Sequence, residues 1–158
     1  MKLSDILNNN TILYSLHSNT KTDVLHELLD HFCNIDYLKT AVKLFSYLEN
    51  KDKNSSSASG RGIAYHYNTS IEISETIAIL GISKKGIDYN AVDGLLCNFI
   101  LLILEPESKP DNHRVIIKLF QDLIKDINIK DKLLDANSSS EISSLILEWE
   151  ENQNKIEL

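Results

Sequence analysis

Cysteine is scarce in this chain: Cys33 and Cys97 are the only two, and no Cys-x-x-Cys occurs. That excludes a disulfide framework and a zinc ribbon, and leaves two buried free thiols in a reducing, cytoplasmic setting as the expectation. Basic residues are in deficit, 16 Lys and Arg against 23 Asp and Glu, for a net charge of −7. A nucleic-acid surface would need clustered Lys and Arg, so that partner class is set aside. Long apolar runs are missing too. The longest, Leu95 to Leu104, is interrupted by Asn98 and falls short of the ~20 residues a membrane span requires. The first ten residues carry no apolar signal core, so no direct membrane insertion is expected. Nor is there a P-loop, a Ser-His-Asp spacing, or a His/Cys/Asp/Glu cluster for a metal. What remains is an ordinary globular composition over 158 residues, 42% hydrophobic and 25% charged, enough for one domain with a real core.

Periodicity orders the chain. Leu3 to Leu7 reads as a short helix stopped by Asn8-Asn9-Asn10, and Thr11 to Leu16 as an edge strand. Thr20 is a candidate N-cap with Asp23 three residues on, followed by Val24, Leu25, Leu28, Leu29 and Phe32 at helical spacing. His26 and His31 ride this helix five apart, which does not align them as metal ligands, so both are expected at its solvated rim. Asp36 is read as opening a second helix with the stripe Leu38, Val42, Phe45 and Leu48, ending near Glu49 to Lys53. A polar loop, Asn54 to Gly60, precedes a short strand from Gly62 to Tyr65, with His66 at its exit. Tyr67 to Glu75 reads as a connection and Thr76 to Ile82 as a strand. Gly86 to Tyr89 suggests a turn and a brief strand, and Asp93-Gly94 a further turn. Leu96 to Leu104 has the pattern of a strand buried on both faces. Asp111 or Asn112 caps a long helix with Val115, Ile116, Leu119, Phe120, Leu123, Ile124 and Ile127 as its buried face. Ser138 and Glu141 form a capping-box pattern ahead of Ile142, Leu145, Ile146 and Trp149. Residues 1–150 are expected to form a single domain, with 151–158 a polar tail that frays from Glu150. Helices, then strands, then helices predict an α/β fold: a three-layer α/β/α sandwich around a small mixed sheet.

The stretch Ser55 to Tyr67 stands out. It passes from a Ser- and Gly-rich loop into a short apolar strand beside His66. A loop of outward N–H donors next to an imidazole is a place for an anion to rest.

These residues resemble the enzyme IIA (EIIA) domain of the phosphoenolpyruvate-dependent sugar phosphotransferase system (PTS), of the fructose/mannitol/nitrogen-regulatory type. The resemblance runs from Leu3 to Trp149. Its most specific part is the family pattern Gly-x-Gly-Ile-Ala-x-Pro-His, whose last residue is the phosphorylated histidine. Here it stands as Gly60-Arg61-Gly62-Ile63-Ala64-Tyr65-His66, with one residue missing and no proline. Lys51-Asp52 is the best match to an Arg-Glu pair that the family has at the end of its second helix. Leu104-Glu105-Pro106 followed by His113 fits a family histidine that opens the long helix. Asp88 to Gly94 is similar to the family's turn before the central strand.

The resemblance implies a phosphocarrier with no metal or organic cofactor. His66 would be the nucleophile, a neutral imidazole with one nitrogen free to attack. Backbone N–H groups of Ser59, Gly60, Arg61 and Gly62 would cradle the phosphoryl oxygens, with Arg61 or Lys51 neutralising them. His113 would donate a hydrogen bond from the positive end of its helix. The implied partners are a histidine phosphocarrier protein as donor and a IIB domain or a regulatory target as receiver, in the manner of a stand-alone nitrogen-regulatory protein. The lost proline and the lysine in place of arginine motivate an alternative: a degenerate EIIA-fold protein that binds partners without relaying phosphate.

Overall fold

The apolar run ending at Leu104 becomes the middle strand of the sheet, which is why it is apolar on consecutive residues rather than alternate ones. A computed structural model describes residues 1–109 and 112–157. After a 3-10 turn at Leu3–Asp5 come β1 (Ile12–Leu13), α1 (Lys21–Asn34) and α2 (Val42–Asn54). Then follow β2 (Ala58–Gly60), β3 (Ile63–Ser70), β4 (Ile77–Ile87) and β5 (Cys97–Pro106). The chain closes with α3 (Asn112–Lys125), α4 (Ile127–Asp135) and α5 (Ser139–Glu157). The sheet has five strands in the order β1-β4-β5-β3-β2. It is mixed: β3 runs parallel to β5, β4 antiparallel to it, and β2 antiparallel to β3.

Because side chains alternate across a strand, β5 serves two cores. Phe99, Leu101 and Ile103 meet Ile116 and Phe120 of α3 and Ile142 and Ile146 of α5. Ile100, Leu102 and Leu104 meet Leu25, Leu28 and Phe32 of α1 and Leu48 of α2. Helices therefore cover both faces, giving the expected three-layer α/β/α sandwich. Among the described residues no helix is long and apolar enough to cross a membrane.

Several expectations are corrected. Asp36 does not open α2: its backbone is left-handed (φ 63°), a conformation that cannot continue a helix, and α2 starts at Val42, itself 75% exposed. Residues 58–60 of the expected loop pair as β2, and a turn at Arg61 (φ 59°) and Gly62 (φ 79°) returns the chain into β3. β3 does not stop at Tyr65 but runs to Ser70, so His66 lies inside the strand rather than at its exit. β4 continues through the expected turn to Ile87, with a shift in register between Ile82 and Ile87. The edge strand near Thr11 is only two residues long.

The long helix ends at Lys125. Asp126 accepts from the N–H groups of Asn128 and Ile129 and caps a separate α4, leaving Ile127 71% exposed. Val115, expected inside, is 48% exposed. Asp111 lies outside the described residues. The tail does not fray at Glu150: α5 continues to Glu157, and the buried Glu150 carboxylate accepts from the N–H groups of Leu3 (2.8 Å) and Ser4 (3.3 Å). The Thr20 cap and the Ser138–Glu141 pairing stand as expected. Cys97 is buried, but Cys33 is partly exposed. His26 stacks on Phe45, and His31 reaches the carbonyl of Asn10 at 2.6 Å.

Candidate functional site

Strand β3 presents Tyr65, His66 and Tyr67 in turn, and the period of two sends them to alternate faces. Tyr65 points toward α3 and meets Phe120 edge-on. His66 points to the opposite layer, under α2, and is 4% exposed. Its Nε2 lies 2.9 Å from the Tyr89 hydroxyl and its Nδ1 3.3 Å from Ser57 Oγ. The Ser57 N–H donates to Asp52 Oδ1 at 3.0 Å, its side chain also bonds that carboxylate, and Lys21 pairs with Asp52 at 2.6 Å.

One assignment of hydrogens satisfies the whole chain of groups. Tyr89 donates to Nε2, Nδ1–H donates to Ser57 Oγ, and Ser57 donates to Asp52. Burial pushes the His66 imidazole down to about 4, against the pull of the Asp52 carboxylate. Burial alone would raise the Asp52 carboxyl, but hydrogen bonds from Lys21 and Ser57 outweigh it and hold that group below its ordinary value. The ring is thus neutral, with its nitrogens engaged inside the fold. A cavity of 290 Å³ lined by Lys51, Ser55, Ser56 and Ser57 approaches it from the α2 side.

Tyr67 returns to the α3 side, where β2 no longer covers the strand, and is 39% exposed. Its ring stacks on the imidazole of His113, centroid to centroid 4.3 Å and nearly parallel. Lys51 Nζ lies 4.0 Å from the same ring centroid and donates to the Tyr67 carbonyl at 2.6 Å. His113 sits in the first turn of α3. Its backbone N–H and its Nδ1 both meet Glu105 Oε1, near the end of β5, at 2.5 Å. Glu105 is 2% exposed. Burial lowers the Lys51 ammonium below the usual lysine range, and the Glu105 carboxylate works in the opposite direction.

Of the residues expected at one site, Lys51 and His113 converge. His66 lies near Lys51 but on the sheet face away from His113. The proposed cradle sits elsewhere. Gly62 precedes Tyr67 by five residues, roughly 16 Å along β3, and Ser59 and Gly60 lie beside Ile63 and Ala64 on the antiparallel β2, at the same end of the strand. The Arg61 N–H donates to the Asp93 carboxylate at 2.8 Å. Ser59 Oγ donates to the Ile63 carbonyl at 3.4 Å. The turn thus already holds an internal anion. Asp93 is kept below its ordinary value by the N–H groups of Arg61 and Leu95.

Sequence reasoning missed Tyr67 and Glu105. The sequence allowed two counts, a gapped one that ends on His66 and an ungapped one that ends on Tyr67. The pairing of β3 with β5 runs from Ile63↔Phe99 to Ser70↔Pro106 with no shift of register. The strand carries no bulge between Ile63 and Ser70. Counted from Gly60 without a gap, the proline position of the family pattern falls on His66 and the histidine position on Tyr67.

Comparison with known proteins agrees with the sequence resemblance. The family described as "Phosphoenolpyruvate-dependent sugar phosphotransferase system, EIIA 2" matches residues 5–149. The PTS system fructose-specific EIIABC component of Bacillus subtilis (strain 168) is 28% identical over 147 residues, 92% of this chain but only 23% of that longer protein. A nitrogen regulatory protein of Bradyrhizobium diazoefficiens is 23% identical over 146 residues, 92% of this chain and 95% of the relative. Among solved structures, nitrogen regulatory protein IIA-Ntr from Neisseria meningitidis superposes with a TM-score of 0.79 at 17% identity, covering 91% of this chain and 98% of that one. Enzyme IIA mannitol of Escherichia coli, solved in complex with phosphorylated enzyme IIB, gives 0.73 at 14% identity, covering 89% and 96%. These structures share the fold. With a family match across residues 5–149, the chain belongs to the EIIA type 2 family of phosphotransferase-system components.

Proposed function

We propose that this EIIA-family chain is a regulatory protein-binding module that does not carry a phosphoryl group on His66. The seating of His66 carries the reading. Attack on phosphorus needs an accessible nitrogen lone pair and donors for the incoming oxygens. The His66 ring is 4% exposed, with Tyr89 on one nitrogen and Ser57 on the other. The residue beside His113 is Tyr67, which presents an aromatic face held between Lys51 and the imidazole. A rigid, half-exposed ring of this kind suits docking of another protein, since it adds contact area at little entropic cost. The family context favours a histidine phosphocarrier protein, a IIB protein or a regulatory target as that partner.

The test is incubation with phosphoenolpyruvate, enzyme I and the phosphocarrier, followed by intact-mass measurement. The wild-type chain is expected to gain no phosphoryl mass. In parallel, the same carrier is expected to bind wild type and His66→Ala alike by calorimetry, and Tyr67→Asp about tenfold more weakly. A mass gain in wild type that disappears in His66→Ala overturns the proposal. A second reading keeps the relay on His66. The 290 Å³ cavity beside Lys51 and Ser57 favours it, and the same mass measurement decides between them.

A further inference from the structure

We infer that Glu105 sits where a phosphoryl group would have to bind beside His113, and keeps that position closed to anions. The inference rests on the reading that the exposed site is built around Tyr67 and His113. Strand β5 is otherwise apolar where it is buried: Leu101, Leu102, Ile103 and Leu104 are all 0% exposed. Glu105 follows them at 2% exposed, an unfavourable position for a carboxylate unless it is hydrogen-bonded. His113 provides those bonds, through the first-turn N–H of α3 and through Nδ1.

Those two donors are the kind a phosphoryl oxygen would use. A helix N-terminus and an imidazole N–H favour an anion, and here the anion belongs to the chain. The nearby Lys51 ammonium responds to the charge of Glu105 and gives a hydrogen bond to the Tyr67 carbonyl. A phosphate approaching His113 would meet a fixed negative charge at contact range and would have to displace a carboxylate already desolvated. The donors beside His113 are therefore already occupied by a carboxylate of the chain itself.

Inorganic phosphate is the probe. It is titrated into wild type, Glu105→Gln and Glu105→Leu while NMR follows the ring signals of His113 and Tyr67. The glutamine variant keeps the shape and one acceptor. The leucine variant covers the case in which glutamine fails to fold. At least one folded variant is expected to saturate at a phosphate concentration about tenfold or more below that of wild type. An equal response in wild type and the folded variants, including no response in any, overturns the inference. The two tests separate cleanly. A wild-type mass gain in the relay assay overturns the proposed function and leaves the phosphate comparison standing. Equal phosphate responses overturn only the role of Glu105.

Discussion

Acidification should expose how tightly His66 is held. In the folded chain its imidazole is pushed down to about 4 by burial, whereas an unfolded chain leaves it near ~6.5. Between those values the unfolded state binds the extra proton, so stability rises with pH across that window. The contribution is fully present above about pH 6.5 and is lost as pH falls toward 4. At pH 4 the loss works out to about 3 kcal/mol from this one ring, a large share of the 5–15 kcal/mol typical of a domain. The structural cause is specific. A protonated ring could no longer accept from Tyr89 at Nε2, and the cation would sit in the apolar layer formed by α1, α2 and the sheet. The assay is urea unfolding of wild type and His66→Gln at several pH values from 7 to 4. Other titrating groups cancel in the difference between the two proteins. That difference is expected to shrink by about 3 kcal/mol over the range. A flat difference, or an NMR titration of His66 near its ordinary value, refutes the reasoning. The ring would then be open to solvent, and its use as a phosphoryl acceptor would regain support.

Two further outcomes follow from packing. Tyr65 has a buried hydroxyl with no hydrogen-bond partner among the described residues, so Tyr65→Phe should leave stability unchanged or raise it by about 1–2 kcal/mol in thermal melts. A loss larger than about 1 kcal/mol would indicate a partner for that hydroxyl. Gly86 has φ +85°, and an added Cβ would lie 2.6 Å from Leu96 Cβ, so Gly86→Ala should cost on the order of 1–3 kcal/mol in urea unfolding. A neutral result would mean that the register shift in β4 relaxes easily.

Much of the architecture was legible because it rests on local rules. Thr20 caps α1, Ser138 accepts from the Glu141 N–H in the first turn of α5, and the run ending at Leu104 reads as an interior strand. The errors came where a local signal was overridden at longer range. Asp36 reads as a helix opener, but the chain turns there in a left-handed conformation, and Leu38 is buried without belonging to α2. Glu150 reads as solvated tail until it meets the N–H groups of Leu3 and Ser4 from the other end of the chain. The start of α4 was written at Asp126, an N-cap residue, and was missed because Ile127 also continued the apolar stripe of α3.

The candidate site divides along the same line. Sequence by itself determined the sandwich, through residue type and period, and its motif resemblance pointed to the family and to Lys51 and His113 as site candidates. Tertiary structure alone decided which of two adjacent residues meets His113. A strand reverses face at every step, so a one-residue gap assumed in a motif exchanges His66 for Tyr67. The stacking of Tyr67 on His113, with His66 turned to Tyr89 in the other layer, decides between them. The fold puts the tyrosine at the surface and the histidine in the core.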